Sequence, residues 1–201
     1  MNAEKIALEL KLDYSKILNI YPYGSVVYGN ETKESDHDYI IVFKPALLPS
    51  GSFRDNAISN EDYTIQAVCY SRTGFIDAIN NYEIGALECL FLPEDKIIQK
   101  KWPFKIQKFE NKIMAKKVIT KISNSWFTAR QACIDGETEY AKKGVFHALR
   151  ILHFALQLKE NQRIDDYSCC NELKETIMND REFKARNYIE QRDELITQLK
   201  A

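Results

Sequence analysis

The chain has 201 residues, 45% of them apolar and 28% charged, with a formal net charge of −1. That mix can bury a sizeable core and excludes a disordered chain, and its near-neutral balance provides no overall field to gather nucleic acid or membrane. Five cysteines, odd in number and without a CxxC, argue against a disulfide framework or a zinc site and fit a reducing, cytoplasmic compartment. No stretch approaches the run of about 18 apolar residues that spans a bilayer. Met1 to Leu12, broken by Glu4, Lys5, Glu9 and Lys11, does not read as a secretory leader.

Residues 3–13 read as a short amphipathic helix, and Lys16 to Tyr23 as a strand. The segment from Asp38 to Phe43 is apolar after its first residue, as a buried strand would be. Residues 45–60, punctuated by Pro, Ser and Gly, read as a loop. Asp62 to Tyr70 alternates in part and reads as a third strand. Ser71 is placed to cap a helix to about Asn80, and Glu83 to Leu92 reads as another that stops before Pro93. Beyond Trp102-Pro103 the pattern changes. Ala115, Val118, Ile122, Trp126, Ala129 and Cys133 recur at spacings of three and four, a helical face that Gly136 ends. Tyr140 to Leu158 is apolar on most sides, and helical stretches follow near 170–179 and 182–199. The chain therefore reads as α+β: a small mixed sheet with flanking helices over 1–102, then a helical bundle over 103–201.

The chemistry concentrates in Tyr23 to Val42, YGSVVYGNETKESDHDYIIV. Two of only 7 glycines, Gly24 and Gly29, lie in this stretch. A strand ends in Gly24-Ser25, and ten residues later another opens with Asp36-His37-Asp38. Alternation along a strand turns Asp36 and Asp38 to one face and His37 to the other. Two carboxylates on one face repel, and a divalent cation offsets that. Mg²⁺ takes one or two carboxylates plus substrate phosphates. Gly24 lets a phosphate approach the backbone, and Ser25 offers a hydroxyl and an amide N–H.

This strand–GS–x₁₀–DxD–strand arrangement resembles the signature of the polymerase-beta-like nucleotidyltransferase superfamily. The resemblance covers roughly residues 16–100. It implies two Mg²⁺ (or Mn²⁺) ions held by Asp36 and Asp38, and Gly24 and Ser25 against the triphosphate of an NTP, ATP first. It also implies in-line attack by an acceptor hydroxyl with release of pyrophosphate. The family adds a third carboxylate from the next strand. Here the expected register falls near Gln66. Asp62 shares that face but lies four residues, roughly 13 Å, earlier along the strand. Either Asp62 is the third catalytic acid or the acid is missing. In the second case the chain would be a weakened nucleotide-binding or antitoxin-like regulatory module. Modification of a protein acceptor is a further alternative.

Two more features bear on the same chemistry. In KKGVFHALRILHFALQL, Lys143, His147, Arg150 and Gln157 fall within about an 80° arc of a mostly apolar helix. That stripe needs a polar partner, because unpaired buried charge is costly. The KxxxHxxR run is similar to the helical domain that follows the catalytic domain in some bacterial and phage members of the superfamily. The likeness implies that Lys143 and Arg150 grip triphosphate while His147 orients acceptor or phosphate. His153, off the stripe, reads as a packing residue. Between Lys100 and Lys121, Lys101, Lys105, Lys108, Lys112 and Lys116 follow a 4-3-4-4 spacing, one face of a helix beginning near Pro103. Such a stripe suits an RNA acceptor, though a solvated face has the same pattern.

Overall fold

The structure is a computed structural model and describes residues 1–33, 35–44, 57–104 and 109–201. Its fold is α+β. The chain forms two compact units, 1–106 and 107–201, so the division falls just beyond the change of pattern at Trp102-Pro103.

The first unit begins with α1 (Ala3–Glu9), shorter than the reading of 3–13. Then come β1 (Ile17–Tyr23), the single-turn α2 (Ser25–Tyr28) and β2 (His37–Phe43). Within the stretch read as a loop, β3 (Ala57–Ser59) is a strand. Next are β4 (Ile65–Ser71), α3 (Arg72–Asn80), α4 (Ile84–Phe91) and β5 (Gln99–Lys100). The strands form one mixed sheet in the order β3-β4-β2-β1-β5. β1 and β2 run antiparallel, Tyr23 opposite Asp38, and β2 and β4 run parallel, Asp38 opposite Gln66. Ser71 caps α3 as its sequence suggests, its Oγ accepting the Gly74 N–H at 3.0 Å.

Each face of the sheet is buried differently. α1 lays Ile6, Ala7 and Leu10 against Tyr39, Ile41 and Phe43 of β2 and Ile65, Ala67 and Cys69 of β4. Ile17 and Ile20 join the same cluster although they stand three apart, because the register of β1 shifts between Ile17 and Asn19. On the other face Tyr21 stacks on Phe75 of α3 at 6.0 Å, and Tyr70 meets the same ring edge-on at 5.5 Å. Asn19 is fully buried. Its amide donates to Tyr21 Oη at 2.8 Å and to the Trp102 carbonyl at 3.0 Å, and its oxygen accepts the Trp102 N–H at 2.9 Å. One side chain thus fixes the stretch after β5 against β1.

The second unit consists of α5 (Asn111–Ile134), α6 (Thr138–Asn161), α7 (Asn171–Asn179) and α8 (Ile189–Lys200). α8 starts well after residue 182, preceded by a 3-10 turn at Ala185–Tyr188. Met114, Val118, Ile122 and Trp126 of α5 are buried, as are Val145, Leu149 and Leu152 of α6. A Cβ on Gly144 would stand 2.9 Å from the Ala129 Cβ, so the two long helices approach where neither carries bulk. Among the described residues, no helix is long and apolar enough to cross a membrane.

Replacing Asn19 by Leu leaves the partly buried Trp102 N–H without its Asn19 acceptor, so stability is expected to fall by roughly 1–3 kcal/mol, read by urea unfolding. Tyr21→Phe, which leaves the two Asn19–Trp102 bonds intact, is expected to cost less.

Candidate active site

The first unit brings four of the sequence-picked residues to one end of the sheet. β1 ends at Tyr23, and Gly24 turns the chain with φ +75° and ψ −149°, a backbone state essentially confined to glycine. The reason lies across the strand pair. A Cβ on Gly24 would stand 2.5 Å from Asp38 Oδ2, so the Asp38 carboxylate occupies the space a side chain would need. Ser25 then opens α2, and the Gly24 carbonyl accepts the Val27 N–H at 3.0 Å.

Asp36 and Asp38 are both half-buried, and His37 between them is exposed, as strand alternation requires. Burial first, then the charge of Asp36, push the Asp38 carboxyl up to about 6, against the opposing effect of His37. A carboxylate pair with this mutual cost suits a hard divalent cation. Among the described residues no group of three or more His, Cys, Asp or Glu side chains is arranged to hold a metal. A cation at this end of the sheet would have the two half-buried carboxylates of Asp36 and Asp38 as its protein ligands.

Gln66 lies beside Asp38 in the parallel ladder, and its Nε2 donates to Asp36 Oδ2 at 2.6 Å. Asp62 does not lie in the strand of Gln66. The strand expected to start there begins at Ile65, and Asp62 lies in the exposed turn before it. Its Oδ1 accepts the Thr64 hydroxyl at 2.8 Å and the Thr64 N–H at 3.3 Å, which hold its carboxyl below the usual range. The turn takes Asp62 for its own closure.

Behind this end of the sheet a cavity of about 330 Å³ is lined by Pro22, Val26, Val27, His37, Asp38 and Tyr39, among others. Sequence reasoning missed a neighbouring buried pair. Tyr28, on the turn after Gly24, donates its hydroxyl to the buried Glu88 of α4 at 2.7 Å. A lone Glu in the apolar run IGALECLF was the available signal.

Lys143, His147 and Arg150 lie in the second unit, successive on α6. Arg150 is buried, and its Nη2 stands 2.9 Å from His147 Nδ1. A guanidinium cannot accept, so Nδ1 is the acceptor and the imidazole proton sits on Nε2. Lys174 of α7 belongs to the same cationic group. Its ammonium is held below the ordinary value by burial, then by Arg150 and Lys143. Nothing in the sequence spacing linked it to them. Gln157 serves the loop instead: its Oε1 accepts the N–H groups of Asp165 and Asp166 at 2.8 and 2.9 Å.

The lysine stripe needs revision. The helix begins at Asn111, not near Pro103, and Lys101 follows β5, its ammonium 4.3 Å from the centre of the Tyr14 ring. Lys105 and Lys108 lie outside the described residues. Lys112 and Lys116 remain together on α5. They line a groove of about 540 Å³ with Lys159 and Lys200, above Ala115 and Ile119.

No family model and no curated protein matches this chain.

Two outcomes follow from the Gly24–Asp38 packing. Gly24→Ala is expected to destabilise by roughly 1–3 kcal/mol from backbone strain alone, and to displace the Asp38 carboxylate, visible as a changed titration of that carboxyl. Because the folded Asp38 holds its proton to about pH 6, the folded state binds more protons than the unfolded one between about pH 4 and 6. Stability should therefore fall as pH rises through that window, and Asp38→Asn should flatten the slope in unfolding curves across it.

Proposed function

We propose that the chain is a nucleotidyltransferase of the polymerase-beta-like kind. It transfers a nucleoside monophosphate from an NTP, ATP first, to an acceptor hydroxyl. The observation that carries this reading is the Asp38 carboxylate seated on the bare Cα of Gly24, with Asp36 on the same face. It places a carboxylate pair beside a backbone turn stripped of side-chain bulk, the combination that a metal-bound triphosphate requires. Divalent ions, Mg²⁺ or Mn²⁺, held by Asp36 and Asp38 would supply charge neutralisation at the phosphates. The Gly24-Ser25 turn admits the triphosphate close to the backbone, and Ser25 offers its hydroxyl. Gln66 holds Asp36 in place through its amide. In the reaction the acceptor hydroxyl loses its proton to solvent as its oxygen bonds to the α-phosphorus, the bond to the β-phosphate oxygen breaks, and pyrophosphate leaves.

In the second unit, Lys143, Arg150 and Lys174 form a cationic group suited to phosphate anions, beside which the neutral His147 presents Nε2–H as a donor. The groove of Lys112, Lys116, Lys159 and Lys200 suits an RNA acceptor. We place the protein in the cytoplasm, where five free thiols persist.

One observation favours a second reading. Gln66 stands where the family's third carboxylate is expected, and an amide cannot take a proton from the acceptor. In that reading the chain binds nucleotide with little turnover, as a regulatory, antitoxin-like module.

With labelled ATP, Mg²⁺ and an RNA acceptor, Asp38→Asn is expected to lower pyrophosphate release on the order of a hundredfold. Equal release by wild type and Asp38→Asn would refute the enzyme reading. Gln66→Glu discriminates the two: a large gain in turnover identifies the native chain as weakened, and no gain supports an active native site. Lys112→Ala with Lys116→Ala is expected to reduce the salt slope of RNA binding by about 1.4, two single-strand phosphate contacts at about 0.7 each.

A further inference from the structure

Cys169 and Cys170 occupy the turn that leads into α7, next to Lys174 and Arg150 of the cationic group. Their sulfurs stand 3.5 Å apart. Cys169 is exposed, whereas Cys170 is buried. Gln157, whose carbonyl oxygen already fixes the backbone at Asp165 and Asp166, turns its amide to Cys169 Sγ at 3.4 Å.

We propose that Cys169 is a site of reversible oxidation by hydroperoxides, with Cys170 as its resolving thiol. The two sulfurs divide the chemistry by their surroundings. The Cys170 thiol, hydrogen-bonded to Cys169, lowers the Cys169 thiol below its ordinary value, and Gln157 and Arg150 act in the same direction against partial burial and Asp166. The thiol of Cys170 is raised, first by that same hydrogen bond and then by burial. A thiol reachable from solvent and biased toward its thiolate, with a second thiol in contact behind it, has the arrangement of a peroxidatic and a resolving cysteine.

The steps balance. The Cys169 thiolate attacks one peroxide oxygen, the O–O bond breaks, and a sulfenic acid forms while the other oxygen leaves as water or an alcohol. Cys170 then gives up its proton and attacks the sulfenic sulfur, and the hydroxyl leaves as water. Two thiols lose two electrons in total and the peroxide gains them. Successive Cα atoms are about 3.8 Å apart, closer than the usual span of a disulfide. The resulting bond is strained and readily reduced by thiols, which makes the modification reversible. It also reshapes the start of α7, where the Cys170 carbonyl accepts the Lys174 N–H at 2.9 Å. The proposal does not rest on the transferase reading.

The molecule carries its own controls. Cys69 and Cys89 are buried, and burial pushes both thiols up, while Cys133 is only partly covered. The full-length reduced chain is treated with one equivalent of hydrogen peroxide, and each cysteine peptide is followed by mass spectrometry. A Cys169–Cys170 disulfide is expected, forming about tenfold faster than any oxidation at Cys133 and reversed by dithiothreitol. In Cys170→Ser, whose hydroxyl can keep the contact to Cys169 but cannot form a disulfide, Cys169 is expected to accumulate as a sulfenic acid that dimedone labels. Oxidation of Cys133 as fast as Cys169 would overturn the proposal. So would a wild-type chain that gives no Cys169–Cys170 bond, a readout that needs no variant to fold.

Discussion

The carboxylate of Asp38 and the bare Cα of Gly24 compete for one volume, and much of the first unit is arranged around that contact. Antiparallel pairing sets Tyr23 opposite Asp38, so the residue after Tyr23 turns into the space above the carboxylate. Only glycine fits there, on two counts: the backbone state is one that other residues rarely adopt, and a Cβ would meet Oδ2. The carboxylate in turn is partly stripped of water and faces a second one, which raises its proton affinity. Stability is given up locally to keep two acidic groups at the end of a buried strand.

The remainder of the sheet makes this affordable. β2 is buried on both faces, with α1 on one side and the Tyr21, Tyr70 and Phe75 rings on the other. Asn19 is a fully buried polar group, but its three hydrogen bonds to Tyr21 and Trp102 leave it satisfied. A rigid sheet holds the carboxylate pair in one geometry, while Gln66 from the neighbouring strand locks Asp36 by its amide. The same residue stands beside Asp38 in the parallel ladder.

The helical unit organises its polar groups by a different rule. Arg150 is buried among apolar rings, 5.6 Å from Phe146 and 5.9 Å from Phe154, and spends one nitrogen on His147. Gln157 clamps the following loop and reaches Cys169. A stripe that looks uniform on a helical wheel thus divides along its length: cations toward the start of α6, a loop clamp and a thiol pair toward its end.

Much of this was legible in the sequence because it is local. Alternation in Asp36-His37-Asp38, the glycine at the end of a strand, the Ser71 cap and the helical spacing of Val118, Ile122 and Trp126 are all set by neighbours a few residues away. The α+β class follows from those periodicities. What the tertiary structure alone decided involves partners far apart in the chain. Gln66 reaches Asp36 because β2 and β4 pair in one parallel register, and Asp62 is drawn into its own turn because β4 starts at Ile65. Ile17 and Ile20 share a face because β1 shifts register, and Lys174 joins Arg150 because α7 folds back onto α6. Spacing along a chain fixes which way a side chain points. It does not choose the strand or helix across from it, which depends on how the buried faces pack together.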